Sequence, residues 1–556
     1  MNYSVLDRKA GSYQKLYADF QWSIPQRFNI ATAICDRHAE ATPQAPALIY
    51  ETQDGQVTTY TFGQIQRLAN QAANTFTGHG VTAGDRVAVL LGQTPETAVA
   101  HLGCFKMRAL SIPMFTLFGE DALEYRLRNS GARAVVTDRE NFPKIAAIRE
   151  RCPDLQKVFL SDGRESGALD FRAELGRASD RAETAATAAD EPAFISYTSG
   201  TTGPPKGALH AHRTMIGHMT GFEMLFDFYG FADDLMWSPA DWAWLAGLMD
   251  CLFPAWWHGK PVLAFRTKGA FDPEKAFHMM AKHRVRNTLL VPTMLKLMRQ
   301  VAEPPAVDLR SMFTGGEAVG TEILDWGKRC FGITVNEGFG QTECNIVMAH
   351  NPKLMAPRFG SLGKAAPGHV AAIVDDAGNV LPPGDEGHIA FLRPDPVMLL
   401  EYWRNPEATR DKYRGDWLIT GDVGTRDEDG YFWFKGRDDD VITSSGYRIG
   451  PGEIEDCLLQ HPAVALSAAI GKPDAVRTEI IKVFVVPAEG YASGPELESE
   501  LREFVRHRLA KHEYPREIEF ITELPTTATG KVMRRVLKER EIDGQKKRQK
   551  RPRPSN

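Results

Sequence analysis

A loop rich in hydroxyls and glycines, with a single lysine, is the stretch of this sequence whose residue types most directly suggest chemistry. It reads YTSGTTGPPKG from Tyr197 to Gly207, after the apolar, β-prone segment AFISY and before a stretch of helical character near His212. We therefore expect the loop to lie between a strand and a helix. Glycines let backbone amides approach an anion, while hydroxyls and lysine add donors and positive charge. The loop predicts a site for the polyphosphate of a nucleotide, with an ordinary turn as an equal alternative for this stretch taken alone.

This loop differs from the phosphate-binding loop of GTPases and motor ATPases. There, a hydroxyl residue follows the lysine and binds magnesium, whereas Lys206 is followed by Gly207 and Ala208. The sequence therefore argues against those two classes. The candidate phosphate-contacting residues are Thr198, Ser199, Gly200, Thr201, Thr202, Gly203 and Lys206.

Short apolar runs that alternate with helix-like stretches must position this loop. RVAVLLG, ARAVVT and AFISYTS have the character of buried strands, and TFGQIQRLANQAANTFTGHG that of a helix. This alternation predicts parallel sheets with crossover helices, an α/β fold. At 556 residues the chain is also too long for one ordinary core of roughly 100 to 200 residues, so we expect at least two domains.

The pattern of residue types changes in the last third of the sequence. From Pro357 to Phe434, glycine and proline turn signals separate short strands, a pattern closer to an antiparallel, distorted β-barrel. After GRDDD we expect a small α/β domain with a helix from Pro451, since proline suits the first helical turn. The predicted division is an N-terminal domain over 1–438, a mobile C-terminal domain over 439–543 and a disordered basic tail over 544–556.

Composition narrows the functional classes. A formal net charge of -5 argues against a nucleic-acid-binding body. The seven cysteines are scattered without a C-x-x-C pair, which favours a reducing compartment and no structural zinc. No signal-peptide segment and no run of about 18 apolar residues is evident, so we expect a cytoplasmic protein without a membrane span. His210 and His212 alternate as metal ligands can, but without further clustered ligands we expect a packing or capping role.

Further motifs follow the loop in order: GGE at 315–317, GFGQTE at 338–343, GD at 421–422, GRDDDVITSSGYRIGPGEIE at 436–455 and PTTATGK at 525–531. Together with the loop they resemble the acyl-adenylate-forming superfamily, and most closely its medium-chain acyl-CoA synthetases. The resemblance covers almost the whole chain. It implies a large N-terminal domain of α/β layers plus a distorted barrel, followed by a small mobile domain.

The resemblance also implies a two-step reaction. A carboxylate attacks the α-phosphate of ATP to give acyl-AMP and pyrophosphate, and the thiol of coenzyme A then displaces AMP. Lys531 would bridge the carboxylate and the α-phosphate, while Lys206 and its loop hold the β- and γ-phosphates. Glu343 resembles the family's Mg²⁺ ligand, and Thr342 its phosphate-contacting hydroxyl.

For the nucleotide and the thiol, the resemblance implies a second set of residues. Asp422 would accept hydrogen bonds from the ribose hydroxyls with Arg437 nearby, and Arg448 would meet a phosphate. Asp439 corresponds to the family's hinge, and Gly446 would allow close approach of coenzyme A. The residues that would line the adenine pocket are Gly316, Glu317, Gly338 and Phe339.

The acyl pocket is implied in the same way, with Trp244, Leu245, Ala246, Gly315 and Gly340 as its lining. In acetate-specific relatives a tryptophan stands before the glutamine of GFGQTE and closes the pocket, whereas this chain has Gly340 before Gln341. We expect that glycine to leave the space of a large side chain. Because each buried CH₂ contributes about 0.8 kcal/mol, a medium-chain or small aryl acid should then be preferred over acetate.

Several alternatives stay open at the level of sequence. The chain could load acyl groups onto a carrier protein, although it contains no fused carrier domain, or take a short-chain acid. A non-catalytic nucleotide-binding scaffold is disfavoured, because Lys206, Glu343, Asp422 and Lys531 are all present. Lys531 lies on a predicted exposed loop ahead of a basic helix, and we hypothesise its reversible acylation by modifying enzymes. Oligomeric state is not encoded in these motifs.

Overall fold

The structure is a computed structural model. It describes residues 3–198, 204–266, 269, 271–316, 319–438, 440–444, 447–474, 478–509, 514–526 and 532–549. Contacts between these residues divide the chain into two units. The first comprises Met1–Gly316, Ile323–Val370 and Leu392–Asp416, and the second comprises Glu317–Glu322, Ala371–Phe391 and Trp417–Asn556. The predicted domain boundary at residue 438 stays a prediction.

The described helices are mostly short and alternate with strands over much of the chain. None of them combines the length and the apolar composition needed to cross a bilayer. In chain order they are α1 (Tyr13–Asp19), α2 (Arg37–Ala41), α3 (Phe62–Gly78), α4 (Pro95–Lys106), α5 (Glu120–Ser130), α6 (Phe142–Ile148), α7 (Phe171–Arg177), α8 (Thr214–Leu225), α9 (Leu245–Gly247), α10 (Phe253–Trp257), α11 (Pro273–His283), α12 (Pro292–Met298), α13 (Thr321–Phe331), α14 (Pro406–Asp411), α15 (Pro451–Leu458), α16 (Pro495–Arg508) and α17 (Arg534–Gln549), with π-helical turns at Thr32–Asp36 and Leu248–Leu252 and a 3₁₀ turn at Arg149–Arg151.

The strands are numbered in the same way. They are β1 (Pro46–Glu51), β2 (Val57–Thr61), β3 (Arg86–Val89), β4 (Leu110–Pro113), β5 (Ala134–Thr137), β6 (Lys157–Leu160), β7 (Leu169–Asp170), β8 (Pro192–Tyr197), β9 (Gly207–Ala211), β10 (Met236–Trp237), β11 (Val262–Phe265), β12 (Asn287–Leu289), β13 (Ser311–Gly315), β14 (Val335–Gln341), β15 (Asn345–Ala349), β16 (Lys364–Ala365), β17 (Ala371–Val374), β18 (Gly387–Leu392), β19 (Glu401–Tyr402), β20 (Tyr413–Arg414), β21 (Trp417–Arg426), β22 (Phe432–Arg437), β23 (Ile442–Ser444), β24 (Tyr447–Ile449), β25 (Val464–Asp474), β26 (Thr478–Pro487) and β27 (Glu517–Phe520).

The first unit contains two large sheets. One has the strand order β16-β15-β14-β13-β12-β10-β11-β1-β2, and the other has the order β19-β9-β8-β4-β3-β5-β6-β7. Neighbouring strands are parallel from β14 through β13, β12, β10 and β11 to β1, and from β8 through β4, β3, β5 and β6 to β7. The prediction of parallel sheets with crossover helices is therefore confirmed.

Helix α8 forms the centre of an apolar cluster on the first of these sheets. Every residue of α8 is buried, and Gly221 allows the helix to approach β15 closely. A Cβ atom at Gly221 would lie 2.6 Å from the carbonyl oxygen of Ile346 in β15, so any side chain there would push the helix off the sheet. The same cluster includes Phe222, Leu225 and Trp256, and it forms the apolar floor beneath part of the predicted site.

The second unit contains an antiparallel half-barrel sheet and a small α/β sheet. β17 pairs with β18, and β21 pairs with β22, both antiparallel. β24, β23, β26 and β25 follow one another in the other sheet, and β27 joins β26 in parallel. The predicted helix from Pro451 is α15, with Ile454 and Leu458 in the core. The mixed α/β fold class is thus confirmed.

The short helix α7 begins after Asp170, which caps it by accepting from the amide of Ala173. Near the other end of the chain, α17 continues to Gln549, and the predicted disorder of the tail over 544–556 stays a prediction. Lysine, arginine and glutamine are strong helix formers, so this basic segment extends the helix readily.

Candidate active site

The predicted phosphate loop connects two antiparallel strands. β8 and β9 form a hairpin in which Tyr197 is opposite Gly207, and the amide of Thr198 donates to the carbonyl of Lys206 at 2.9 Å. The expectation that the loop lies between a strand and a helix is therefore wrong, because β9 precedes α8. The segment GALHA carries no β-branched residue to indicate a strand. Its pairing with β8 on one side and β19 on the other decides its conformation.

Strand β19 brings an aromatic ring to the lysine of this loop. Tyr402 pairs with Ala208, and the Nζ of Lys206 lies 5.4 Å from the centroid of the Tyr402 ring. An ammonium over the face of a tyrosine is attracted by the negative face of the ring, by about 0.5 to 2 kcal/mol according to its exposure. Lys206, at the end of the loop, therefore lies against the ring of Tyr402.

The same tyrosine reaches the predicted magnesium ligand. Glu343 lies in the turn between β14 and β15 and is only 8% exposed. The hydroxyl of Tyr402 donates to its Oε1 atom, and the Nζ of Lys412 lies 3.9 Å from the same oxygen. Burial and the charge of Glu343 raise the pKa of Tyr402, so the phenol keeps the proton that it donates. We call Lys206, Tyr402, Glu343 and Lys412 the Glu343 cluster.

The Glu343 cluster fits a magnesium-bound polyphosphate by its donor set. Magnesium prefers one or two carboxylates together with phosphate oxygens and water. Among the described residues there is no group of three or more His, Cys, Asp and Glu side chains that could hold a metal ion without such help. A single buried carboxylate beside a lysine loop is the arrangement that a nucleotide-borne magnesium ion needs. Thr342 lies half-buried in the same turn as Glu343.

Backbone rather than side chains forms the neighbouring carboxyl ends of β13 and β14. Gly315 and Gly338 lie opposite each other in the parallel register, at the edge where α/β sheets bind ligands. Gly316 follows with a φ of 88°, a conformation that favours glycine. A Cβ atom on Gly338 would lie 2.7 Å from Leu225 Cδ2. The structure brings these residues together with half-buried Phe339, and their role as an adenine pocket stays a prediction.

Gly340, beside which the sequence predicts space for an acyl chain, lies against the backbone of Asn345. A Cβ atom there would lie 2.0 Å from the carbonyl oxygen of Asn345 and 2.5 Å from its carbonyl carbon. The register of β14 against β15 shifts between Phe339 and Gly340, and Asn345 itself has a φ of 46°. The backbone of the β14–β15 hairpin therefore lies where a Cβ atom would be, and glycine is needed here for this close approach. The space predicted beside Gly340 for an acyl chain stays a prediction.

The remaining acyl-pocket residues lie at the start of α9. Trp244 is its N-cap, Leu245 is buried, and Trp244 and Ala246 are half-buried against the apolar cluster around α8. The π-helical turn Leu248–Leu252 follows directly. Such turns occur frequently at functional sites. The segment provides an apolar wall, and its contact with an acyl group stays a prediction.

Within the second unit, the predicted neighbours Asp422 and Arg437 are in contact. They lie opposite each other in the β21–β22 pair, with Nη1 of Arg437 3.2 Å from Oδ1 of Asp422. Asp422 is 3% exposed, and its amide donates to the hydroxyl of Thr420 at 3.1 Å. The proximity of Arg437 is confirmed, and ribose binding by Asp422 stays a prediction.

Other predicted residues lie outside what the structure describes. Arg448 is in β24, but its side chain is not described. Ser199, Gly200, Thr201, Thr202, Gly203, Glu317, Asp439, Gly446 and Lys531 lie outside the described residues. Their roles stay predictions.

The expected packing role of His210 and His212 is confirmed. The His210 ring stacks on Phe194 at 4.8 Å, and Nδ1 of His212 accepts from the amide of Ile30 at 3.2 Å. Burial lowers the pKa of His210 to about 4 against the raising effect of the Glu343 charge, so this imidazole is neutral at pH 7.

Sequence analysis missed Tyr402 and Lys412. Tyr402 is 59 residues from Glu343 along the chain, and no local motif relates the two. The only signal is the segment LLEYW before Asn405, which has the apolar and aromatic character of a short strand. That signal predicts β19 but not the strand beside which β19 lies.

Two family models match this chain. Residues 35–403 match the family model "AMP-binding enzyme", and residues 453–531 match "AMP-binding enzyme C-terminal domain". The chain is 35% identical over 556 residues to an acetyl-coenzyme A synthetase of Bacillus subtilis (strain 168), covering 97% of this chain and 96% of that protein. It is 36% identical over 533 residues to the human mitochondrial acyl-coenzyme A synthetase ACSM5, covering 93% and 91%.

Solved structures show the same likeness. An anthranilate CoA ligase, AuaEII, in complex with anthranoyl-AMP superposes with a TM-score of 0.87 at 28% identity, covering 94% of this chain and 99% of that one. A benzoate CoA ligase from Burkholderia xenovorans LB400 gives a TM-score of 0.82 at 27% identity, covering 92% and 100%.

Proposed function

The chain belongs to the AMP-binding enzyme family and is an AMP-forming acid–CoA ligase that uses ATP, Mg²⁺ and coenzyme A; from this premise we propose that its acid is a medium-chain fatty acid. The observation that carries the proposal is the apolar wall formed by Trp244, Leu245 and Ala246 against the cluster around α8. No side chain at Gly340 can close the pocket as a tryptophan does in acetate-specific relatives.

We propose the following roles for this chain's own residues in adenylation. Lys206 neutralises the β- and γ-phosphates, and Lys531 holds the attacking carboxylate against the α-phosphate. Phosphoryl-type transfer gains mainly from such positioning and charge stabilisation. Bound magnesium supplies further neutralisation of the phosphates, and Glu343 with Thr342 would hold it and the nucleotide. The alkyl chain of the acid lies along the apolar wall, which excludes water from the reacting carboxylate.

The preference for chain length follows from burial, not from an empty volume at Gly340. Each methylene that leaves water for an apolar wall contributes about 0.8 kcal/mol, so three or four extra methylenes favour a longer acid over acetate by a few kcal/mol. A buried wall of this kind cannot distinguish sharply between acids that differ by one methylene. We therefore expect a broad optimum.

The test is thioester formation with ATP and coenzyme A over acetate, butyrate, hexanoate, octanoate, decanoate and benzoate. We expect the highest kcat/KM between butyrate and decanoate, and Lys531→Ala should abolish the signal. A maximum at acetate would refute the chain-length proposal while leaving the enzyme class intact. Direct comparison of coenzyme A with a phosphopantetheinylated carrier protein identifies the acceptor.

An aryl acid is the second candidate. Trp244 offers an aromatic face beside the proposed acyl position, and the two solved relatives named above are ligases for anthranilate and benzoate. Benzoate activity above that of hexanoate would favour this candidate over the straight-chain acids.

A further inference from the structure

Tyr402 makes two polar contacts that link separate parts of the Glu343 cluster. Its ring lies under the ammonium of Lys206, 5.4 Å from Nζ to the ring centroid, and its hydroxyl donates to Oε1 of Glu343. Lys206 ends the phosphate loop, whereas Glu343 belongs to the turn between β14 and β15 in the other sheet. One side chain thus spans the two sheets at the point where phosphate and magnesium are proposed to meet.

The surroundings of Tyr402 hold it firmly in this position. Its residue is 4% exposed, and β19 fixes its backbone against β9 through the register of Tyr402 with Ala208. The adjacent Trp403 amide donates to the carbonyl of Gly207 at 2.7 Å, and the Tyr402 amide donates to Oγ1 of Thr409 at 2.9 Å. A side chain anchored in this way restricts the carboxylate that it bonds.

The contact with Glu343 is directional as well as electrostatic. A carboxylate has about four acceptor positions, and a hydrogen bond from a buried phenol fixes which oxygen and which lone pair are used on the protein side. A hydrogen bond to a charged group contributes more than a bond between neutral groups. Lys412, at 3.9 Å, adds charge near Oε1 but no bond of comparable geometry.

We propose that Tyr402 is a positioning residue that sets the Glu343 carboxylate for the magnesium ion of the nucleotide and holds Lys206 beside the phosphates of that same nucleotide. The proposal rests on the proposed function of this site. It assigns separate tasks to the two parts of the side chain: the hydroxyl acts on metal binding, and the ring acts on the phosphate lysine.

The test measures ATP binding by calorimetry without an acid substrate, once with excess Mg²⁺ and once with EDTA. The dissociation constant in EDTA divided by the constant with Mg²⁺, here called the metal ratio, isolates the contribution of the metal. Tyr402→Phe keeps the ring and removes the hydroxyl. We expect the metal ratio of this variant to be roughly tenfold lower than that of the wild type, which corresponds to the lower end of a hydrogen bond to a charged group. Binding in EDTA should stay near the wild-type value.

Tyr13 offers a matched control within the same unit. It is also buried, its hydroxyl donates to the carbonyl of Ala365 at 2.8 Å, and the Nζ of Lys364 lies 5.1 Å from its ring centroid. Tyr13→Phe therefore removes an equivalent buried hydroxyl beneath a cation, and we expect an unchanged metal ratio. If Tyr13→Phe and Tyr402→Phe lower the ratio equally, the effect is structural and the proposal is overturned.

Glu343→Gln separates a failure of this inference from a failure of the proposed site. A lowered metal ratio in Glu343→Gln with an unchanged ratio in Tyr402→Phe refutes the role of Tyr402 alone. An unchanged ratio in Glu343→Gln refutes the metal assignment on which the inference rests. Tyr402→Leu tests the ring: relative to Tyr402→Phe, we expect two- to fivefold weaker ATP binding in EDTA, as the loss of a cation–π contact predicts. Equal binding by these two variants would overturn the part that concerns Lys206.

Discussion

The carboxylates of the two units, Glu343 and Asp422, are both buried, yet the protein holds them in different ways. In the first unit a neutral phenol donates to Glu343, and among the described residues the ammonium of Lys412 lies 3.9 Å from the same oxygen. In the second unit the guanidinium of Arg437 pairs with Asp422 at 3.2 Å across an antiparallel register. The hydrogen-bond donor described for Glu343 is therefore neutral, whereas the one described for Asp422 is charged.

This difference suits different ligands. A carboxylate that a phenol orients keeps its attraction for a divalent ion, because a neutral donor does not cancel the charge. A carboxylate that a guanidinium pairs is stabilised as an acceptor, which suits neutral hydroxyls such as those of ribose. The comparison therefore predicts that Glu343 acts on the reaction and Asp422 mainly on nucleotide affinity.

The largest expected effect comes from neutralising each carboxylate in turn. Glu343→Gln should lower kcat for acid-dependent pyrophosphate exchange by about a hundredfold or more, as loss of one well-placed electrostatic contact does. Asp422→Asn should instead raise KM for ATP by about tenfold, since it weakens charged hydrogen bonds. Steady-state kinetics over ATP and Mg²⁺ concentrations distinguishes the two.

Asp376 provides the control for this comparison. It is almost fully exposed and contacts only His388 at 2.8 Å among the ion pairs described in its unit, so Asp376→Asn should leave both parameters unchanged. If Glu343→Gln raised KM for ATP without lowering kcat, the division of labour between the two carboxylates would be wrong.

The next effect concerns stability and the hairpin that carries Glu343. Gly340→Ala places a Cβ atom 2.0 Å from the Asn345 carbonyl oxygen, and we expect a loss of about 1 to 3 kcal/mol in the free energy of unfolding, as overpacking usually costs. Gly176→Ala, where nothing lies within 4 Å, is the matched control and should be neutral or slightly stabilising. Equal melting temperatures for both variants would mean that the hairpin backbone accommodates a Cβ atom at Gly340.

Contacts between residues that are close in the sequence can be predicted from it, whereas contacts between distant residues of this site cannot. Asp422 and Arg437 are 15 residues apart in one hairpin, and the strands and turn between them can be read locally. The contact of Glu343 with Tyr402 joins two sheets, and the blocked volume at Gly340 depends on a register shift and on the positive φ of Asn345. Residue types predict neither of these, because backbone geometry and tertiary pairing determine both.

The smallest expected effect is a change in the acid sensitivity of the protein near the Glu343 cluster. Burial lowers the pKa of His210 to about 4, below an unfolded value of about 6.5. The unfolded chain therefore binds the proton more readily than the folded protein. The contribution of neutral His210 to the free energy of unfolding is fully present above pH 6.5 and decreases as the pH falls toward 4. His210→Phe retains a ring to stack on Phe194 and removes the titration. Between pH 6.5 and 4 the unfolding free energy of the variant should decline less steeply, by up to about 1.4 kcal/mol per pH unit. Denaturant unfolding at several pH values measures this slope.

An identical slope in both proteins would mean that His210 keeps an ordinary pKa despite its burial. The charge of Glu343 would then offset the effect of burial on this pKa more fully than the packing of β9 suggests.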